Sequence, residues 1–126
     1  DIDVSKIGFY GHSWGGFLGG IIPAVEERLA VNILVTGGFD IYYKANPESD
    51  AINYVTRIKI PVLMLNGRYD MRIPLEKAVK PFYDKLGTPE NDKYLFVYET
   101  DHFVPKSEII KETLNFLDKY FGPPGN

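Results

Sequence analysis

Ser13 stands between two glycines, each two residues away, in Gly11-His12-Ser13-Trp14-Gly15. A short apolar and aromatic run, Val4 to Tyr10, precedes it, and a third glycine and a helix signal follow. No other feature constrains the chain as tightly. A serine on a very sharp strand-to-helix turn has strained backbone angles. The residues two before and two after it approach closely, so both Gly11 and Gly15 are expected to be small for steric reasons. Such a turn lifts the hydroxyl above the end of a sheet. It also leaves the next backbone N–H, that of Trp14, facing the place where negative charge develops when a carbonyl is attacked. An ordinary Gly-rich turn is the plainer reading of the same residues. A phosphate-binding turn would need G-x-G-x-x-G or G-x-x-x-x-G-K-[ST], and neither occurs between Gly8 and Gly20.

The rest of the chain supplies a setting for that turn. Ala30–Val35 and Pro61–Asn66 are continuous apolar runs of the kind buried in parallel sheets, and Tyr94–Tyr98 is a further strand. A helix carrying Phe17, Leu18, Ile21, Ile22 and Val25 should be kinked or split by Pro23. Pro74 opens a second helix with Leu75, Val79, Phe82 and Leu86 on one face, bent at Pro81 and ended by Gly87. The last helix is expected to start near Ser107 as N-cap, with Ile110, Leu114, Leu117 and Phe121 as its apolar stripe. Phe39 to Ile58 reads as an irregular aromatic loop. Alternation of strands and helices predicts an α/β fold of about four parallel strands with helices on both faces, in a single domain over residues 1–126. Ligands of such sheets sit beyond the carboxyl ends of the strands.

A serine becomes a nucleophile through an adjacent base. The chain has two histidines. His12 adjoins Ser13 on a strand end and should point to the other face, packing beside the turn. His102 lies just past the fourth strand, where a solvated loop histidine is the plainer reading and the Ser13 turn favours the base. An acid should follow an intervening strand, and Asp70 does. Asp40, past the second strand, is the next choice. Asp101 adjoins His102 too closely for ordinary geometry, and Asp92 precedes the fourth strand, at the far end of a parallel sheet. The order Ser13, Asp70, His102 is one of the three chain orders in which such triads occur.

Composition narrows the alternatives. The net charge of −3, without a Lys/Arg block, gives no sign of a nucleic-acid partner. Without cysteine there are no disulfides or thiolate metal sites, which suits a reducing compartment such as the cytoplasm. No apolar run approaches the roughly 20 residues needed to span a bilayer, so no membrane partner is expected.

Ile7–Gly16, Ile60–Asp70 and His102-Phe103-Val104-Pro105 resemble the serine turn, the acid-bearing strand and the histidine loop of dienelactone-hydrolase-like and prolyl-oligopeptidase-like members of the α/β-hydrolase superfamily. The resemblance covers nearly the whole chain. It implies Ser13 as nucleophile, Asp70 as acid, His102 as base and the Trp14 N–H as one oxyanion donor, with no metal or organic cofactor. It also implies about eight strands, of which this chain holds four, so a second oxyanion donor would lie in a missing part. Asp101 departs from the glycine common before the histidine and places an added negative charge beside His102. The expectations are hydrolysis of small-molecule carboxylic esters, with peptides or amides as a variant. A weakly active fragment or interaction module of a larger hydrolase is the alternative. Tyr42, Tyr43 and Tyr54 are candidates for an acyl or alcohol pocket, and equally for loop packing. The strand 4–10, an uncovered edge, is expected to mediate homo-oligomer formation.

Overall fold

The computed structural model describes residues 1–125. Four strands, β1 (Ile7–His12), β2 (Leu29–Val35), β3 (Val62–Gly67) and β4 (Lys93–Tyr98), form one parallel sheet in the order β1-β2-β3-β4. Strand order thus follows chain order, and the first strand lies at one edge.

Side chains alternate between the two faces, as the period of a strand requires. Val31, Ile33, Val35, Leu63 and Leu65 turn to one face, where Phe116 of α4 (Lys106–Phe121) covers them. Leu34, Val62 and Met64 turn to the other, under Phe82 and Val79, with Val55 and Ile58 closing the cluster. The fold is therefore α/β with both faces covered. β1 is the exception: on its α4 side it carries Gly8, the half-exposed Tyr10 and the exposed His12.

β1 begins at Ile7 and not at Val4. Asp3 captures the preceding residues in a turn: its carboxylate accepts from the Ser5 N–H at 3.0 Å and from the Ser5 hydroxyl at 2.6 Å, and its carbonyl accepts from the Lys6 N–H at 3.0 Å. Pro23 splits the following helix into α1 (Trp14–Leu18) and α2 (Ile22–Val25), taking a place in the first turn of α2, where a missing N–H costs nothing.

The segment after Pro74 widens before it becomes α-helical. The N–H groups of Ala78 and Val79 both donate to the Pro74 carbonyl, at 2.8 and 3.3 Å, in a π turn over Leu75–Val79. α3 (Lys80–Lys85) then takes Pro81 in its first turn. Leu75, Val79, Phe82 and Leu86 are all buried, as their spacing requires.

α4 departs from expectation in two ways. It starts at Lys106 behind Pro105, whose carbonyl accepts from Glu108 and Ile109 and whose ring offers no side-chain acceptor, so the helix has no side-chain cap. Its buried face also differs. Ile110 and Leu114 are 49% and 55% exposed, whereas Ile109, Phe116, Leu117 and Tyr120 meet the sheet. Two apolar stripes overlap on this helix, and the larger rings of Phe116 and Tyr120 take the core.

Candidate active site

Ser13 sits between β1 and α1 with φ 55° and ψ −107°, a left-handed backbone that an L-residue rarely adopts. Gly11 makes the turn possible. A Cβ there would overlap the carbonyl of Gly15. At Gly15 a Cβ would meet nothing within 4 Å, so the expectation that both glycines are sterically required holds for Gly11 alone. The close approach is between Gly11 and the Gly15 carbonyl, not the Gly15 α-carbon. Gly16 is the second tight position, since its Cβ would lie 2.7 Å from the Gly37 α-carbon.

Thr36, at the end of β2, holds the turn from the neighbouring strand. The Ser13 N–H donates to the Val35 carbonyl at 3.0 Å and to Thr36 Oγ1 at 3.2 Å, and the Thr36 hydroxyl donates to the Val35 carbonyl at 2.7 Å. Thr36 is fully buried, and its φ of 50° is unusual for a β-branched residue. Its only sequence signal was its place beside Gly37-Gly38 at a strand end. Behind it, the buried Asn66 side chain donates to the Gly37 carbonyl at 2.9 Å.

Beyond the strand ends, three side chains form one hydrogen-bonded chain. Ser13 Oγ lies 2.9 Å from His102 Nε2, and His102 Nδ1 lies 2.8 Å from Asp70 Oδ2. His102 and Asp70 are buried, 7% and 2% exposed. Asp70 Oδ1 accepts from the backbone N–H groups of Arg72 and Ile73, at 2.8 and 3.0 Å, which fixes the carboxylate and aims Oδ2 at the imidazole.

The loops carrying Asp70 and His102 meet because residue 67 is glycine. A Cβ on Gly67 would overlap the Asp101 carbonyl and approach that of Thr100 at 2.6 Å. The Arg68 and Tyr69 N–H groups donate to the carbonyls of Tyr98 and Thr100, at 2.8 and 2.9 Å. On the surface Glu99 accepts from the Tyr69 hydroxyl at 2.7 Å and Arg68 Nε at 2.6 Å. Those two bonds, Tyr69's first, hold the Glu99 carboxyl below its usual range, and Glu99 in turn raises the Tyr69 phenol.

The other candidates go elsewhere. Asp40 Oδ1 accepts from the N–H groups of Tyr42 and Tyr43, at 2.9 and 3.0 Å, and Asp101 Oδ1 from that of Phe103 at 2.9 Å. Asp92 accepts from the Tyr120 hydroxyl at 2.7 Å, at the amino ends of the strands, away from the triad. His12 is exposed, with its ring centroid 6.1 Å from that of His102.

A cleft of about 540 Å3 opens beside the turn, between α1 and the loop after β2. Trp14, Phe17, Leu18 and Ile21 form one wall, and Tyr43, Asp40 and Asp50 belong to the other. Of the three tyrosines considered, Tyr43 lines the cleft. The Tyr42 hydroxyl donates to the Met71 carbonyl, and that of Tyr54 to the Glu48 carbonyl, so both brace loops. Among the described residues no three His, Cys, Asp or Glu side chains gather as a metal site, and no helix is long and apolar enough to cross a membrane.

A parallel sheet with a serine at this strained turn after β1, and an acid and a histidine past the ends of β3 and β4, is the α/β-hydrolase fold, here in part. Comparisons agree. An acetyl xylan esterase from Paenibacillus sp. R4 superposes with a TM-score of 0.78 at 20% identity, over 94% of this chain and 46% of that one. A cold-adapted esterase from an Arctic intertidal metagenomic library superposes with a TM-score of 0.76 at 25% identity, over 91% of this chain and 49% of the esterase. In sequence, the chain is 25% identical over 122 residues to the bis(hydroxyethyl) terephthalate hydrolase of Streptomyces coelicolor, covering 94% of this chain and 36% of that protein. It therefore spans half or less of the length of these relatives. No family model matches.

Proposed function

We propose that the chain carries the catalytic centre of a serine hydrolase acting on carboxylic esters. The continuous hydrogen-bonded chain from Ser13 Oγ through the His102 imidazole to Asp70 carries this reading. Ser13 Oγ attacks the ester carbonyl while His102 Nε2 takes its proton. Asp70 Oδ2 holds Nδ1–H, which fixes the imidazole tautomer and stabilises the imidazolium. The negative charge on the carbonyl oxygen falls to the Trp14 N–H, the first of α1, where no intrahelical acceptor exists. His102 returns the proton to the leaving alkoxide, and an acyl-enzyme on Ser13 remains. Water, deprotonated by the same imidazole, then releases the acid. The esterase and terephthalate-ester hydrolase among the relatives support esters over peptides.

Fluorophosphonate labelling tests the assignment. The wild-type chain should be labelled on Ser13, and Ser13→Ala and His102→Ala should not. Labelling that survives Ser13→Ala would overturn it. A second reading rests on the partial coverage of the relatives. The centre would then depend on a further oxyanion donor from a longer protein, and the chain alone would turn over about 10²–10³ more slowly. A folded chain that resists labelling would favour that second reading.

A further inference from the structure

We propose that the cleft beside Ser13 selects against anionic substrates, and that Asp40 and Asp50 make the selection. The inference rests on the ester-hydrolase reading and names the substrate class of that site: esters whose group in the cleft is apolar and uncharged, or cationic, but does not bear a carboxylate.

The cleft is apolar along α1 and the turn that follows it, where Trp14, Phe17 and Leu18 of the helix share one face and Ile21 of the turn extends the wall. The indole of Trp14 and the ring of Phe17 meet edge to face, with centroids 6.3 Å apart. The charged groups on the opposite side are both carboxylates. Asp40 turns Oδ1 to the Tyr42 and Tyr43 N–H groups, and Asp50 turns Oδ1 to the Ile52 N–H. In each case Oδ2 is left for the cleft or solvent. Neither aspartate forms an ion pair among the described residues, and no Lys, Arg or His lines the cleft. A carboxylate entering here would lose water against an apolar wall and face two like charges without a compensating cation. A neutral ester avoids both costs, and an ammonium would gain from the same two charges.

Trp14 is the chain's single tryptophan, so its emission reports occupancy of the cleft without turnover. All titrations are made at low salt in the Ser13→Ala background, which cannot consume the ester, with methyl phenylacetate, phenylacetate and 2-phenylethylammonium, which share a ring and differ in charge. Phenylacetate should bind about tenfold more weakly than the methyl ester, and the ammonium at least as well as the ester. Added salt should narrow the gap, because the two carboxylates are reached by solvent. In the double variant Asp40→Asn, Asp50→Asn, which keeps both Oδ1 acceptors, the gap should fall to about twofold or less. The methyl ester should also slow fluorophosphonate labelling of Ser13. Equal affinity for anion and ester with Asp40 and Asp50 intact overturns the proposal. So does a gap that survives in a double variant with wild-type circular dichroism, or the absence of a Trp14 response to all three ligands. Ser13 labelling without charge discrimination sinks this inference and spares the catalytic reading. Charge discrimination without Ser13 labelling upholds this inference and favours the reading in which the centre depends on a longer protein.

Discussion

The carbonyl group of Gly15 fills the space that a Cβ on Gly11 would need. The two glycines of the serine turn are therefore not equivalent. Gly11→Ala forces backbone against backbone and should cost about 1–3 kcal/mol, as overpacking does. Gly15 lies in α1 with open space around it, so Gly15→Ala should be neutral or stabilise by up to about 1 kcal/mol. Urea midpoints of the two variants provide the check. Equal losses would mean that the turn is not built as described.

Gly67 acts on the site at a distance from the reacting atoms. A Cβ there drives the Asp70 loop off the carbonyls of Thr100 and Asp101. Gly67→Ala should separate Asp70 from His102 and lower the rate of Ser13 labelling at least about tenfold. The loss should exceed any effect of Gly87→Ala, a clash of similar severity far from the triad, against Thr56. Labelling rates, compared at equal fraction folded, distinguish a positional effect from general destabilisation.

Asp70→Asn keeps an oxygen for the Arg72 and Ile73 N–H groups and presents an NH2 to His102 Nδ1. The imidazole then takes the tautomer with its proton on Nε2 and cannot accept from Ser13. Ester turnover and labelling should fall by about 10³–10⁴ with little loss of stability. A variant that retains a tenth of wild-type activity would show that Asp70 is not the orienting acid.

Much of this site was legible in the sequence because its constraints are local or ordinal. Ser13 announces itself by flanking glycines, and Asp70 and His102 by falling after strands in the right order. What escaped was set by tertiary approach. That Gly67 must clear the Asp101 carbonyl, and that Gly15 need not clear anything, depends on how segments cross. Thr36 has no local signal of its role, because its hydroxyl accepts from the N–H of Ser13, 23 positions earlier, and its positive φ shows only in the folded chain. In α4 the periodicity was real but doubled, and the sheet chose Phe116 over Leu114 by size and shape. Asp3 cut β1 short through a local side-chain bond that competes with strand pairing.

Thr36→Val tests the support of the turn. The substitution keeps the β-branched shape and removes Oγ1, leaving the Ser13 N–H with the Val35 carbonyl alone. A loss of about 1 kcal/mol is expected. Labelling should fall further than stability alone explains, because the strained φ of Ser13 is held from this side. Wild-type labelling in Thr36→Val would assign Thr36 to packing only.

The outer edge of β1 bears on assembly. One side of Ile7–His12 pairs with β2, and the other pairs with no strand among the described residues. Beside it Tyr10 is 53% exposed, and a groove runs from Tyr10 to Leu117 and Phe121 of α4, with the exposed Leu114 one turn before Leu117. An open strand edge next to apolar side chains is a template for pairing with another chain. We propose that, in this chain by itself, a second copy takes this place, by a two-fold arrangement in which each β1 meets its counterpart. Sedimentation velocity over a range of concentrations should then show a reversible dimer. Tyr10→Lys with Leu114→Lys should weaken it at least about tenfold while changing the stability of the folded chain by about 0.5 kcal/mol or less per site. A chain that stays monomeric at the highest concentrations, or a dimer indifferent to both lysines, would place the contact elsewhere.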